Sequence, residues 1–217
     1  MRMISEKDFV LINFVGRIKS SGKIFDLTEK DIADKEGVQE DGFNFSPVLV
    51  IPDSNYVLTP LAKSLVNRNV GEKYRLELKA KEAFGELNPK LLKVLGMKVF
   101  IENKINPSPG DLVMLDGKMA TVQSVSGGRV MVNFNHPLAG KDLVYDIEVV
   151  KVLETSKEKC AAIFKHYSGN EPDEIDIAED SVKIKSVAKI KPYEIDAIKT
   201  DIEKFVHNGL KVEIVAG

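Results

Sequence analysis

The stretch Leu143-Val144-Tyr145-Asp146-Ile147-Glu148-Val149-Val150-Lys151-Val152-Leu153 reads as one long β-strand, and the rest of the chain is organised around it. Tyr145, Ile147 and Val149 fall on one face, as the two-residue side-chain period of a strand requires. Upstream, residues 72–80 alternate more strictly. Tyr74, Leu76, Leu78 and Ala80 share one side, and Lys73, Arg75, Glu77 and Lys79 the other, the pattern of a sheet with one buried face. Residues 9–18 are rich in aliphatic and aromatic side chains, and Ser20-Ser21-Gly22-Lys23 offers a turn into a second strand over 24–27. Between these strands, residues 59–65 predict a short helix with Thr59 as N-cap and Pro60 at the first helical position, where a missing N–H costs nothing.

Between the strand pattern at 72–80 and the one at 143–153, residues 98–136 predict a small β unit of their own. Asp116-Gly117-Lys118 separates residues 111–115 from 119–122, and Gly127-Gly128 separates 121–125 from 130–134, giving two hairpins. Asn106-Pro107-Ser108-Pro109-Gly110 and Asn135-His136-Pro137 punctuate the two ends. The chain leaves a sheet, builds a satellite and returns.

After Thr155 the pattern changes again. A helix over 156–167 ends at Ser168-Gly169-Asn170-Glu171-Pro172, and strands follow at 175–178 and 181–190. Pro192 opens a helix carrying Ile195, Ile198, Ile202 and Phe205; Asn208-Gly209 ends it, and 210–215 form a terminal strand. The expected organisation is therefore α+β in three parts: residues 1–97 with 137–154, the insert 98–136, and an α-β-β-α-β unit over 155–217. A unit of 63 residues is small for an independent core, so it should dock. A two-fold dimer through 155–217 is the expected arrangement, with docking on the chain's own first domain as the rival.

Composition narrows the function classes. Apolar residues make up 43% and charged residues 29% of the 217, which excludes collagenous and disordered classes. No apolar run approaches the roughly 20 residues that span a bilayer, and residues 1–10 carry no signal-peptide apolar core, so a soluble protein without a membrane partner is expected. Basic residues number 31 against 33 acidic ones, interspersed along the chain, and no segment has the basic field of a nucleic-acid binder. Cys160 is the single cysteine, which rules out an internal disulfide and a thiolate metal cluster and suits a cytoplasmic setting. It is either a reactive thiol or a small buried side chain; its amphipathic surroundings favour the second.

Four motifs occur in the order found in FKBP-type peptidyl-prolyl isomerases: Gly22-Lys23-Ile24-Phe25-Asp26, Val70-Gly71-Glu72-Lys73, Glu82-Ala83-Phe84-Gly85 and Leu143-Val144-Tyr145-Asp146-Ile147-Glu148-Val149. The chain resembles that family over residues 7–154. Asn135-His136-Pro137-Leu138-Ala139-Gly140-Lys141 is similar to the exit from the inserted domain of the SlyD-type branch. The loop over 28–45 and the C-terminal unit resemble those of long archaeal members. The Cys/His-rich tail of some SlyD proteins has no counterpart in this sequence.

The resemblance implies an antiparallel, half-open β-sheet wrapped on a short helix, with a proline pocket between them. Phe14 takes the position of an aromatic wall, Phe25 and Asp26 are the Phe-Asp pair, and Val57 and Leu58 are the apolar pair whose backbone meets the bound peptide. Leu61 stands where many members have a floor tryptophan, Phe84 is the aromatic of the Ala-aromatic-Gly motif, and Tyr145 is the ring at the pocket base. Val48 is a further, weaker match for substrate binding. Two departures stand out: Phe84 replaces a tyrosine able to hydrogen-bond a substrate carbonyl, and Pro60 replaces a common glycine. His136 is read as turn chemistry, and His166 and His207, near helix ends, are given no catalytic role.

The implied activity is rotation about X–Pro bonds in unfolded or proline-containing polypeptides, with no cofactor and no metal, because no bond to a heavy atom is made or broken. The insert resembles the part of SlyD-type proteins that holds unfolded chains. Val113, Met114, Met119 and Met131 are its candidate substrate contacts, with the insert's own core as their alternative use. A non-enzymatic chaperone or dimeric scaffold on the same fold is the competing function.

Overall fold

A computed structural model describes residues 2–38, 43, 45–206, 209 and 211–216 of the chain. The middle of the 28–45 loop, His207, Asn208 and Leu210 lie outside the described residues. In chain order the elements are β1 (Phe9–Ile18), β2 (Ile24–Leu27), α1 (Lys30–Glu36), β3 (Val48–Val50), α2 (Thr59–Ser64), β4 (Lys73–Leu78), β5 (Leu92–Gly96), α3 (Met97–Glu102), β6 (Leu112–Leu115), β7 (Lys118–Ser126) and β8 (Arg129–Asn133). They continue with β9 (Leu143–Leu153), α4 (Ser156–Ser168), β10 (Glu174–Ile177), β11 (Ser181–Ser186), α5 (Pro192–Asp201) and β12 (Lys211–Ala216). These elements divide into two units. The first comprises Met1–Arg17, Gly22–Leu76 and Val144–Gly217, and the second Ile18–Ser21 and Glu77–Leu143.

The sheet of the first unit runs β2-β1-β9-β4, with β3 also paired to β1. β2 and β3 share one edge of β1 in tandem: Val10 faces Val50 and Ile12 faces Val48, while Val15 faces Leu27 and Gly16 faces Asp26. A bulge between Gly16 and Arg17 ends the regular register with β2. Val10, Ile12 and Phe14 are buried on one face of β1. The opposite face is covered in part. There Val15 packs with Ile24, Leu27 and Ala33 of α1, while Phe9 and Leu11 pack into the C-terminal unit.

That unit is the expected α-β-β-α-β, with strand order β10-β11-β12, β10 antiparallel and β12 parallel to β11. Thr155 caps α4 through a reciprocal pair with Glu158, each side chain bonding the other residue's backbone N–H. Its apolar face and the α5 stripe join one core: Cys160, Ile163, Phe164, Ile198 and Ile202 are buried with Phe9, Leu49, Ile51 and Leu153 of the preceding domain. Burying a side chain of this size stabilises by about 1.5–3 kcal/mol, so the docking is substantial. The stripe's burial is thus met within the chain, by the rival arrangement anticipated above.

Two local readings shift. β11 stops at Ser186, short of residue 190, because the Ser186 hydroxyl accepts the Ala188 N–H at 3.2 Å and Asp173 accepts the Val187 N–H at 2.7 Å, turning the backbone away. In α2 the cap position is Leu58, with Thr59 and Pro60 inside the first turn and no side-chain cap.

The second unit holds a four-stranded antiparallel sheet of order β5-β8-β7-β6. Asp116 and Gly117 (φ +49° and +71°) close one hairpin, and Gly127 and Gly128 (φ +56° and +73°) the other. Positive φ at both central residues marks the turns whose twist matches that of the flanking strands. Phe100, Val113, Leu115, Ala120, Val122, Val130 and Val132 form the core. β5 belongs to this sheet, so the insert's structure begins before residue 98. Buried Asn135 clasps its two ends, accepting the Asn88 N–H at 2.9 Å and donating to the Asn88 carbonyl at 3.1 Å.

Candidate functional site

Three strands of the first unit bring aromatic rings together. Tyr145 on β9 meets Phe14 on β1 edge-to-face, with centroids 5.7 Å apart and planes at 63°, and meets Phe25 on β2 at 5.6 Å and 89°. Such T-shaped pairs set a positive ring edge against a negative face and add about 0.5–1.5 kcal/mol each beyond area burial. Phe14 and Tyr145 are buried, and Phe25 is half-buried. Gly16 permits Phe25 to lie flat on β1, because a Cβ there would sit 2.7 Å from the ring's Cζ.

Asp26, directly opposite Gly16, is the charged member. Partial burial raises its carboxyl pKa, opposed by a backbone hydrogen bond from Leu27. Its side chain nevertheless keeps an exposed edge. Burial, and secondarily the Asp26 charge, raises the Tyr145 phenol, which stays protonated. No hydrogen bond joins the Tyr145 hydroxyl to Asp26 or to another group among the described residues, so Asp26 acts on Tyr145 through its charge alone.

Leu61 is buried in α2 at 2% exposure. Val57 and Leu58 precede it, both half-buried. The Leu58 carbonyl accepts the Ala62 N–H at 3.0 Å, while neither the N–H nor the carbonyl of Val57 has an intrachain partner among the described residues. Val48, across from Ile12, lines a groove of about 310 Å³ with Leu11, Ala161, Ala162 and His166 rather than joining the ring contacts. Phe84 lies in the second unit. It stacks on His136 with centroids 4.3 Å apart and planes at 1°, and His136 Nδ1 accepts the Leu138 N–H at 3.1 Å. The histidine is therefore both turn and ring partner.

In the insert, Met114, Met119 and Met131 are exposed at 55%, 56% and 41%, whereas Val113 is 6% exposed and belongs to the core. Strand parity separates them, since Val113 must face away from Met114. Leu92, Val94 and Leu112 are exposed as well, beyond the residues expected from sequence. Leu112 follows from the same parity, but Leu92 and Val94 require β5 to be recognised. Val94 pairs with Met131 and Met114 with Met119, so these side chains share the sheet's outer face in two neighbouring groups.

Among the described residues no group of three or more His, Cys, Asp or Glu side chains could hold a metal ion. Burial pushes the Cys160 thiol up to about 11, which leaves it a poor nucleophile at neutral pH. No helix among the described residues is long and apolar enough to cross a membrane.

A family profile described as "FKBP26, IF domain" matches residues 93–138, which take in nearly all of the four-stranded sheet and Asn135 of the clasp. The short-type peptidyl-prolyl cis-trans isomerase of Methanocaldococcus jannaschii is 22% identical over 158 residues, 73% of this chain and 99% of that protein. The SlyD FKBP-type isomerase of Pasteurella multocida is 26% identical over 136 residues, 57% of this chain and 63% of its own. The FKBP-type 16 kDa isomerase of Escherichia coli K12 is 30% identical over 97 residues, 42% of this chain and 64% of its own. The chain thus spans just under two thirds of the latter two. An isomerase relative aligned almost end to end, and an insert domain matched in its own right, show that this chain is similar to FKBP-type peptidyl-prolyl isomerases.

Proposed function

We infer that the chain accelerates cis/trans isomerisation of X–Pro bonds in polypeptides and holds unfolded clients while doing so. The observation that carries the reading is the Phe14–Tyr145–Phe25 cluster with Asp26 at its edge. The uncatalysed barrier is about 18–20 kcal/mol, because the twisted amide loses its resonance. Removing about 5–7 kcal/mol accelerates rotation about 10⁴–10⁵-fold. The twisted amide is less dipolar than the planar one, so an apolar pocket favours it over the ground state. Phe14, Phe25 and Tyr145, with Leu61, supply the pocket walls. The Val57 backbone, unpaired among the described residues, offers with Leu58 an edge for the peptide. The Tyr145 hydroxyl, without a hydrogen-bond partner among the described residues, is available to a substrate carbonyl. Asp26 biases the field of the site and transfers no proton.

The exposed Leu92, Val94, Leu112, Met114, Met119 and Met131 support client holding by the insert, methionine being an adaptable apolar contact. A homodimer through 155–217 is part of the proposal. The two sheet edges at β10 and β12, and exposed Ile177, Val187 and Val215, support it. Light scattering at twice 24.1 kDa is the expected result, and a mass of 24.1 kDa across micromolar concentrations removes the dimer. A cytoplasmic setting is supported by the lone, buried thiol of Cys160.

A protease-coupled assay on a short X–Pro peptide, beside an aggregation assay, tests the function. Turnover that falls at least tenfold in Phe25→Leu supports the isomerase. Aggregation suppression with no turnover in the wild type favours the second reading, a holdase with a silent pocket.

A further inference from the structure

We propose that Tyr56 and Asp201 position the Val57–Leu58 edge of the proline site, which makes the C-terminal unit a working part of the isomerase. This rests on the reading that Val57 and Leu58 meet the bound peptide.

The segment joining β3 to α2 has no regular structure. Its first half is pinned by backbone: the Asp53 N–H donates to the Glu6 carbonyl at 3.1 Å, and the Ser54 N–H and hydroxyl donate to the Ile51 carbonyl at 2.9 and 2.7 Å. Its second half is not. After a long bond from the Tyr56 N–H to the Ser54 hydroxyl at 3.4 Å, the next backbone tie is the first bond of α2, at the Leu58 carbonyl. Between them it is the Tyr56 side chain that fixes the chain.

Every ring partner of Tyr56 comes from the C-terminal unit. His166 of α4 stacks on it with centroids 4.1 Å apart and planes at 8°. Tyr167 and Phe205 meet it edge-on at 6.1 and 6.4 Å. The Tyr56 hydroxyl donates to Asp201 Oδ2, at the end of α5, at 2.6 Å across 145 residues of sequence. Tyr167 donates to the same oxygen at 2.5 Å. Burial and the shared carboxylate raise both phenols, Tyr167 to about 12, so both remain donors at working pH. The residue immediately before Val57 is thus held by ring and carboxylate partners that, among the described residues, all come from this unit.

Peptide contacts made equally in ground and transition states act on KM rather than kcat. Loss of a bond that only positions such contacts should do the same. Tyr56→Phe keeps the ring and removes the hydrogen bond. On a short X–Pro peptide, KM should rise about three- to tenfold with kcat within twofold. Asp201→Ala should reproduce the rise from the other partner. Tyr167→Phe is the control: it keeps its ring edge on Tyr56 and loses only its own bond to the same oxygen, leaving the Tyr56–Asp201 bond in place, so its KM should stay within twofold. Equal KM changes in Tyr56→Phe and Tyr167→Phe, or none in folded Tyr56→Phe and Asp201→Ala, overturn the positioning role. Leu58→Ala separates the two levels. A raised KM there with wild-type KM in Tyr56→Phe removes the positioning alone, whereas unchanged KM in Leu58→Ala removes the peptide-edge reading and this inference with it.

Discussion

Gly16→Ala adds one methyl group at a position where the fold can absorb it and the site cannot. The new Cβ would lie 2.7, 3.0 and 3.2 Å from Cζ, Cε2 and Cε1 of Phe25, against about 3.5–4.0 Å for an unstrained carbon contact. The ring tip must therefore retreat by about 1 Å. Because it is the free end of a half-buried side chain, the stability cost should fall toward the low end of the 1–3 kcal/mol typical of overpacking, about 1 kcal/mol. In a chain of this length that lowers Tm by about 2–4 °C. Phe25 also meets Tyr145 at 5.6 Å, so the same 1 Å displaces a wall of the proposed pocket. Misplacement on that scale costs up to about 10²-fold in turnover. The expected result is a 10- to 100-fold fall in kcat/KM on a short X–Pro peptide, with an unchanged circular dichroism spectrum. Adding Phe25→Leu to Gly16→Ala should restore Tm while leaving activity at the Phe25→Leu level. A folded Gly16→Ala protein with kcat/KM within twofold of wild type would refute the role given to Phe25.

Leu61→Asp places an unpaired charge at a 2%-exposed position and should abolish isomerase activity while a folded fraction still suppresses aggregation; full turnover in folded mutant removes Leu61 from the pocket. Replacing residues 92–138 with a short turn should preserve short-peptide turnover but reduce catalysis on an unfolded protein, whose capture raises local substrate concentration; equal losses on both substrates would contradict this division. In the insert, Met114→Ser with Met119→Ser should weaken aggregation suppression with Tm nearly unchanged, while Val113→Ser should lower Tm by exposing a cavity and an unpaired hydroxyl in the core; the opposite pattern would reverse the assignment of faces. Glu158 is held at a pKa of about 2, from an ordinary 4.5, chiefly by Lys151 and then by the backbone and side chain of Thr155. Its folded-state pKa is the lower one, so its contribution is full above 4.5 and fades as pH falls toward about 2. Urea midpoints at about pH 5 and pH 3 should therefore differ less in Glu158→Gln than in wild type, and an identical difference would exclude it.

What the sequence discloses is local or periodic. Asp116-Gly117 and Gly127-Gly128 announce their hairpins because few other pairs tolerate positive φ at both positions. Tyr145, Ile147 and Val149 announce a buried face because a strand repeats every two residues, and all three are buried. β5 escapes because its end is unmarked: Leu92-Lys93-Val94-Leu95-Gly96 runs directly into α3 with no turn between them. Composition groups Val113 with the methionines, although parity sends it to the other face. The ordered motifs supply Phe14, Phe25, Asp26 and Tyr145. Neither motif nor period could supply the bond between Tyr56 and Asp201, because contacts across 145 residues leave no trace in spacing.

β1 has a neighbour that is synthesised late. It is complete at Ile18 but lies beside β9, which begins at Leu143, so about 125 residues must follow before that side of β1 can be paired. At roughly 5–20 residues per second this takes about 6–25 s. The strands of the insert wait for nothing comparable: β6, β7 and β8 are joined by two-residue turns, and hairpins close within about 1–10 μs. On a growing chain the methionine-bearing sheet can therefore be finished while β1 still lacks its β9 neighbour. During its own synthesis the protein would then acquire its proposed client-holding surface first and its proposed proline site afterwards, and for that interval the nascent chain would carry a finished insert beside an incomplete sheet.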